Sequence, residues 1–276
     1  MIEILKAVLF GIVQGITEWL PISSTGHMIL LDEFISLNVT PEFMDAFLVV
    51  IQFGSILAVV VLFWNKIFPF DFKKKTIIKK DIFVLWFKIV VACIPAIIIG
   101  LPFDDLFSQL FYNYVCVAIA LIVFGILFIL VENRNKKTAP RITELSGITY
   151  KMAFIIGIWQ LIAAIFPGTS RSGATIIGAL LLGISRTAAA EFTFFLAIPV
   201  MFGASLLKLL KFGLAFNAAE WSILLVGMAV AFAVSVAVIR FLMGYIKKHD
   251  FKVFGWYRIV LGFIVLAYFL LWEMPQ

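Results

Sequence analysis

The sequence predicts an all-α polytopic membrane protein: about six transmembrane helices plus two re-entrant helical hairpins, arranged as an inverted-topology repeat. Three observations predict it. The 276 residues are 63% hydrophobic and 14% charged, with a mean hydropathy of +1.12, more apolar surface than a soluble domain of that length can bury. The apolar residues run in long helical stretches rather than in the short alternating segments of a β-barrel. A polar cluster also recurs: Gly11, Gln14, Pro21 and Ser24 return 146 positions later as Gly157, Gln160, Pro167 and Ser170. The whole of 1–276 therefore reads as a single integral membrane domain made of two repeats, about 1–132 and 147–276.

The first element is broken. Residues 2–20 and 25–37 are two apolar pieces flanking a Pro-Ile-Ser-Ser-Thr turn, each short of the about 20 residues a span needs. Irregular backbone is tolerated at membrane depth only where protein or a wet cavity surrounds it, so a re-entrant hairpin with a site at its tip is expected. Full spans follow at about 42–63, 82–101 and 112–131. The second broken pair is 150–166 and 172–184, followed by spans at about 187–211, 220–243 and 254–272. An odd number of crossings per half makes the halves inverted, an architecture in which broken helices meet near the midplane. The repeat reaches into the first full span of each half, where Glu42, Phe43, Phe53, Gly54 and Leu57 match Glu191, Phe192, Phe202, Gly203 and Leu206 at a shift of 149.

The net charge of +6 reports orientation rather than an acidic partner, and no nucleic-acid motif is present. Lys66, Lys73, Lys74, Lys75, Lys79 and Lys80 fill one loop, Arg134, Lys136, Lys137, Arg141 and Lys151 another, and Lys247, Lys248 and Lys252 a third, whereas the connection with Asp104 and Asp105 has no basic residue. By the positive-inside rule the basic loops are cytoplasmic and the acidic one outside, with both termini outside. No basic leader with a small-residue cleavage site is seen, so no removable signal peptide is expected. Cys93 and Cys116 lie in apolar spans and read as buried thiols rather than a disulfide.

Ser23, Ser24 and Thr25 stand where the first turn becomes a helix, and Thr169, Ser170 and Ser172 do the same in the second. Two helix N-termini with Arg171 make a site for an anion with several oxygens, such as a diphosphate. An arginine near the bilayer centre costs about 2.5–3.5 kcal/mol on insertion scales and is usually paired or functional. Gln14 and Glu18 are four apart, on one helix face; they suit a divalent cation held against phosphate oxygens, or a proton taken by Glu18. His27, three residues past Ser24, suits a base activating a hydroxyl or a nucleophile in its own right. Taken singly, each has a plainer reading: serines cap helices, Glu18 beside Trp19 is interfacial, Arg171 marks topology like Arg186, and a lone histidine packs. Their gathering at two turns favours a site.

Gln14, Glu18 and the run Pro21 to His27 resemble the first signature segment of bacterial undecaprenyl-diphosphate phosphatases, integral membrane enzymes linked to bacitracin resistance. Pro167 to Thr175 resembles the second, Pro-Gly-x-Ser-Arg-Ser-Gly-x-Thr. The one mild departure is Gln14, where the pattern also allows Glu; it removes a metal-binding charge. The resemblance extends over most of the chain and implies hydrolysis of undecaprenyl diphosphate to undecaprenyl phosphate and inorganic phosphate, recycling the lipid carrier for cell-wall polysaccharide synthesis. It further implies a bacterial plasma-membrane location, a site open to the extracytoplasmic side, and activation by Mg2+ or Ca2+. On this reading Ser24 is the nucleophile, with His27 as base or rival nucleophile. Arg171, Ser170, Ser172, Ser23 and Thr25 bind phosphate, and Glu18, helped by Gln14, holds metal or manages protons. The competing class is a lipid-phosphate transporter or flippase using the inverted repeat; a channel would need a filter or charge ring that the sequence lacks. The oligomeric state stays open, a homodimer included.

Overall fold

The computed structural model describes residues 1–71, 78–212 and 216–273; Lys73, Lys74 and Lys75 of the first basic loop lie outside them. The chain opens with α1 (Ile2–Thr17) and α2 (Ser24–Phe34), followed by α3 (Pro41–Leu62) and the single turn α4 (Trp64–Ile67). α5 (Lys80–Pro95) continues through a π-helical turn, Ala96–Gly100, into α6 (Asp104–Phe111) and α7 (Tyr114–Asn135). The rest comprises α8 (Tyr150–Ile165), α9 (Arg171–Leu181), α10 (Arg186–Phe212), α11 (Ala218–Tyr245) and α12 (Lys252–Glu273).

Among the described residues six helices are long and apolar enough to cross a membrane: α3, α5 with its extension, α7, α10, α11 and α12. They coincide with the six spans expected from hydropathy, and the protein is an all-helical, multi-pass membrane protein. The helices of the two broken pairs, α1, α2, α8 and α9, contain 16, 11, 16 and 11 residues, about 24 and 17 Å long at 1.5 Å per residue, against a hydrocarbon core of about 30 Å. α1 stops at Thr17 rather than at residue 20. Pro21, which lacks an N–H and disfavours helix at the residue before it, lies in a turn that occupies positions 18–22.

Helix partners cross between the two halves. α1 packs along α11, and α8 packs along α5; α3 lies against α10 and α11, and α7 against α12. The close approaches fall on glycine. A Cβ at Gly11 would stand 2.6 Å from the Gly227 carbonyl oxygen, and one at Gly157 would stand 2.3 Å from that of Ala92. Helices surrounded by lipid associate through such backbone packing, because hydrocarbon offers no hydrophobic drive. Phe53 and Phe202, matched in the sequence repeat, face each other with ring centroids 6.0 Å apart.

Charged loops separate to the two ends. At one end Arg186 Nε donates to the buried carboxylate of Glu132 at 2.9 Å, Lys252 Nζ donates to Asn133 Oδ1 at 3.1 Å, and Lys66 Nζ meets Glu191 at 2.7 Å. At the other, the Asn38 amide donates to Glu3 at 2.8 Å and Lys208 pairs with Asp45 at 2.6 Å. Between the ends, large apolar side chains such as Phe87, Val90, Phe241, Val260 and Phe263 remain exposed, as befits helices solvated by lipid.

Candidate active site

Both turns carry the same backbone device. Ser23 and Ser170 have φ of 74° and 68°, a left-handed region that costs a non-glycine residue on the order of 1–3 kcal/mol. Each serine hydroxyl accepts from the amide three residues on, Gly26 at 3.4 Å and Gly173 at 3.1 Å, satisfying a helix N-terminal donor. Ser23 and Ser170 are therefore the caps of α2 and α9, and Ser24 and Arg171 are the first residues of those helices. This corrects the alignment read from sequence. A shift of 146 places Ser24 opposite Ser170, whereas the structure pairs Ser24 with Arg171, because the second turn has one more residue after its proline. That residue has a structural cause: Gly168 has φ +89°, and a Cβ there would lie 2.5 Å from the Val117 carbonyl oxygen of α7. Only glycine fits so close a bend.

The two tips meet on Glu18, which is 7% exposed. Arg171 donates from Nη2 to Glu18 Oε1 at 2.9 Å, while Ser24 Oγ donates to Oε2 at 3.0 Å and Gln14 Nε2 to the same oxygen at 3.1 Å. Ser172 Oγ closes the junction on the Glu18 backbone carbonyl at 3.2 Å and lies 3.2 Å from Ser170 Oγ. Arg171 is steadied further by the Thr193 carbonyl at 3.2 Å and Met201 Sδ at 3.5 Å. Trp19 is fully buried rather than interfacial, its ring edge-on to Phe194 of α10 at 5.1 Å, and so anchors the turn beside Glu18.

Glu18, Ser24, Thr25, Ser170 and Arg171 line one cavity of about 230 Å3, together with Gln52 of α3, Gln160 of α8 and Met201 of α10. A single carboxylate is paired with a guanidinium beside the N-termini of α2 and α9, so the pocket wall is rich in donors. Such donors suit an anion with several oxygens. Ser23 and Ser172 stand behind this wall, supporting it rather than facing the space.

His27 is hydrogen-bonded to other groups than the Ser24 hydroxyl. Its Nδ1 donates to the Ser23 carbonyl at 2.7 Å, and its Nε2 lies 2.7 Å from the Tyr257 hydroxyl of α12, the two rings stacked at 5.6 Å. With Nδ1 carrying the proton, Nε2 accepts from the tyrosine, so both ring nitrogens are engaged.

Sequence reasoning passed over Arg258. It lies in the predicted span 254–272, is fully buried, and reaches both turns. Nη1 donates to the Pro21 carbonyl at 3.2 Å, and Nη2 to Gly168 at 3.0 Å, Thr169 at 2.8 Å and Ala120 at 3.4 Å. Phe124 lies under the guanidinium, 5.8 Å from ring centroid to Cζ. The signal was available: an arginine inside a span carries the same insertion cost that singled out Arg171.

A hard cation takes oxygen ligands, and one carboxylate can share it with phosphate oxygens and water. Glu18 offers carboxylate oxygens and Gln14 an amide oxygen. Among the described residues no group of three or more His, Cys, Asp or Glu side chains gathers to cage an ion unaided, so substrate would have to complete the shell.

Comparison with known proteins bears on this geometry. A family model described as bacitracin resistance protein BacA matches residues 7–264. The chain is 68% identical to an undecaprenyl-diphosphatase of Desulfitobacterium hafniense over 269 residues, covering 98% of this chain and 97% of that protein. It is 66% identical to undecaprenyl-diphosphatase 1 of Clostridium acetobutylicum, covering 98% of each, and 65% identical to an undecaprenyl-diphosphatase of Enterococcus faecalis, covering 96% of each. With its two turns joined on Glu18 and the match running almost end to end, the chain belongs to the BacA bacitracin resistance protein family.

Proposed function

We propose that this protein hydrolyses undecaprenyl diphosphate to undecaprenyl phosphate and inorganic phosphate in a bacterial plasma membrane. One observation carries the reading. The Ser24 hydroxyl and the Arg171 guanidinium, from helices 147 positions apart, bond to the two oxygens of one buried carboxylate on the wall of one cavity. The relatives' names supply the lipid diphosphate and speak for a phosphatase rather than a lipid-phosphate transporter.

In this reading Ser24 Oγ attacks the terminal phosphorus as Glu18 Oε2, already its hydrogen-bond acceptor, takes the proton. The bond from that phosphorus to the bridging oxygen breaks, and undecaprenyl phosphate leaves with the electron pair. Arg171, Thr25, Ser170 and the α2 and α9 N-termini hold the non-bridging oxygens where charge develops. Water then attacks the phosphoserine, giving inorganic phosphate, and Glu18 returns the proton to Ser24. The geometry favours Glu18 over His27 as proton acceptor, since the histidine's nitrogens are bonded elsewhere. Glu18 and Gln14 would hold a Mg2+ or Ca2+ ion, which would neutralise phosphate charge.

The crossing of partners, α1 on α11 and α8 on α5, supports two re-entrant hairpins in inverted repeats of about 1–132 and 147–276. The gathering of basic loops at one end supports external termini, and we infer from the family resemblance that the site opens to the extracytoplasmic side. A cysteine at position 105 should accordingly react with a membrane-impermeant label added outside, and one at 74 should not. The reverse pattern would overturn the orientation.

Purified protein in detergent should release inorganic phosphate from the lipid diphosphate, which a transporter would not do. Glu18→Gln should lower kcat at least about a hundredfold, the usual reach of a positioned acid–base group. Gln14→Ala removes one hydrogen bond to a charged group and should cost about tenfold. Equal losses, with divalent-ion dependence abolished by Gln14→Ala, would refute the division of roles.

A further inference from the structure

One buried group in the cavity has no assigned work. Gln160 is 2% exposed and lines the same space as Ser24, Ser170 and Arg171, yet neither its amide nitrogen nor its amide oxygen has a hydrogen-bond partner. Its counterpart in the first half, Gln14, gives its amide nitrogen to Glu18, four residues on. Four residues past Gln160 stands Ala164, also on the cavity wall. The second half thus presents the amide without the carboxylate that would occupy it. A buried amide with both ends unmade is unfavourable, and a ligand that offers both an acceptor and a donor relieves it.

We propose that Gln160 is a phosphate ligand, its Nε2 donating to a non-bridging phosphoryl oxygen and its Oε1 accepting from a protonated phosphate oxygen. The proposal rests on the phosphatase reading for its substrate. It adds that the terminal phosphoryl group, and the inorganic phosphate it becomes, lies between Arg171 on α9 and Gln160 on α8. The group is then bonded by both a charged fork and a neutral amide. The amide's two ends match a singly protonated phosphate better than a fully ionised one, so the residue favours the product in the form abundant near neutral pH.

The test uses inorganic phosphate as the probe, on purified wild-type protein and on Gln160→Leu and Gln160→Met. Both variants keep the volume and remove the amide, which in a merely structural role would leave ligand binding unchanged. Phosphate should raise the unfolding temperature of wild type and should raise that of the variants far less. Its inhibition constant against lipid diphosphate hydrolysis, and the KM, should rise about tenfold, the worth of one hydrogen bond to an anion. Without phosphate the variants should unfold at or above the wild-type temperature, because the unmade amide is gone. If one variant fails to fold, the other carries the test. Wild-type phosphate stabilisation and inhibition retained in a folded variant would overturn the proposal, as would the absence of any phosphate stabilisation in wild type. Phosphate stabilisation that depends on Gln160 in a protein releasing no phosphate would instead leave this ligand standing and bring down the phosphatase reading.

Discussion

Ser24→Ala is expected to reduce phosphate release by at least about three powers of ten, the scale seen when a hydrolase loses its nucleophile, while leaving the protein folded. The second half of that expectation follows from the caps. The residue that closes the α2 N-terminus is Ser23, whose hydroxyl accepts from Gly26, so the substitution spares the cap. What is lost is one bond to Glu18, which keeps those from Gln14 and Arg171; the stability cost should stay near 1 kcal/mol. Thermal unfolding of the purified variant measures that half, and phosphate release the other. Substantial activity in a folded Ser24→Ala protein would pass the nucleophile's role to His27, which would first have to surrender its bond with Tyr257.

Arg171→Lys should insert and fold normally but lose at least about a hundredfold in turnover, the usual cost of removing a preorganised donor from a water-poor site. If Arg171 only marked topology, lysine would serve, because the positive-inside rule counts the two alike. The structure gives the arginine a different task. Its guanidinium already spans the Thr193 carbonyl and Glu18 Oε1 with separate nitrogens, a planar fork that an ammonium cannot reproduce. A lysine that settles on Glu18 would leave the phosphate with a misplaced point charge. Near-wild-type hydrolysis by Arg171→Lys would sink the clamp and, with it, the composite site built from the two turns.

The six spans were legible because each is a local property: a long apolar run with a loop at either end, as in α3 and α7. The site was half legible. Gln14, Glu18, Ser24 and Arg171 stand out because polar side chains are conspicuous in such sequence, and their convergence follows from placing two turns at one depth. What stayed hidden depended on contacts far along the chain. The caps slipped by one because an ungapped match cannot see the added residue at Gly168 and Thr169, which exists to pass the Val117 backbone. His27 was drawn to Ser24 by its spacing, and only the approach of α12 reveals Tyr257, 230 positions away, as its partner. Arg258 was concealed by being alone in an apolar run, where it reads as a blemish in a span rather than as a donor for distant carbonyls.

Arg258 also sets an order of events in the making of the protein. The Pro21 carbonyl waits 237 positions, and the Thr169 carbonyl 89, for the side chain that satisfies them. A nascent chain inserts from its N-terminus, so both turns are in the membrane well before α12 arrives, and until then those carbonyls must borrow water or remain unpaired at a cost of several kcal/mol each. Docking of α12 against α7 brings in the one guanidinium that bonds to both turns, so the last span to be made is the one that joins them.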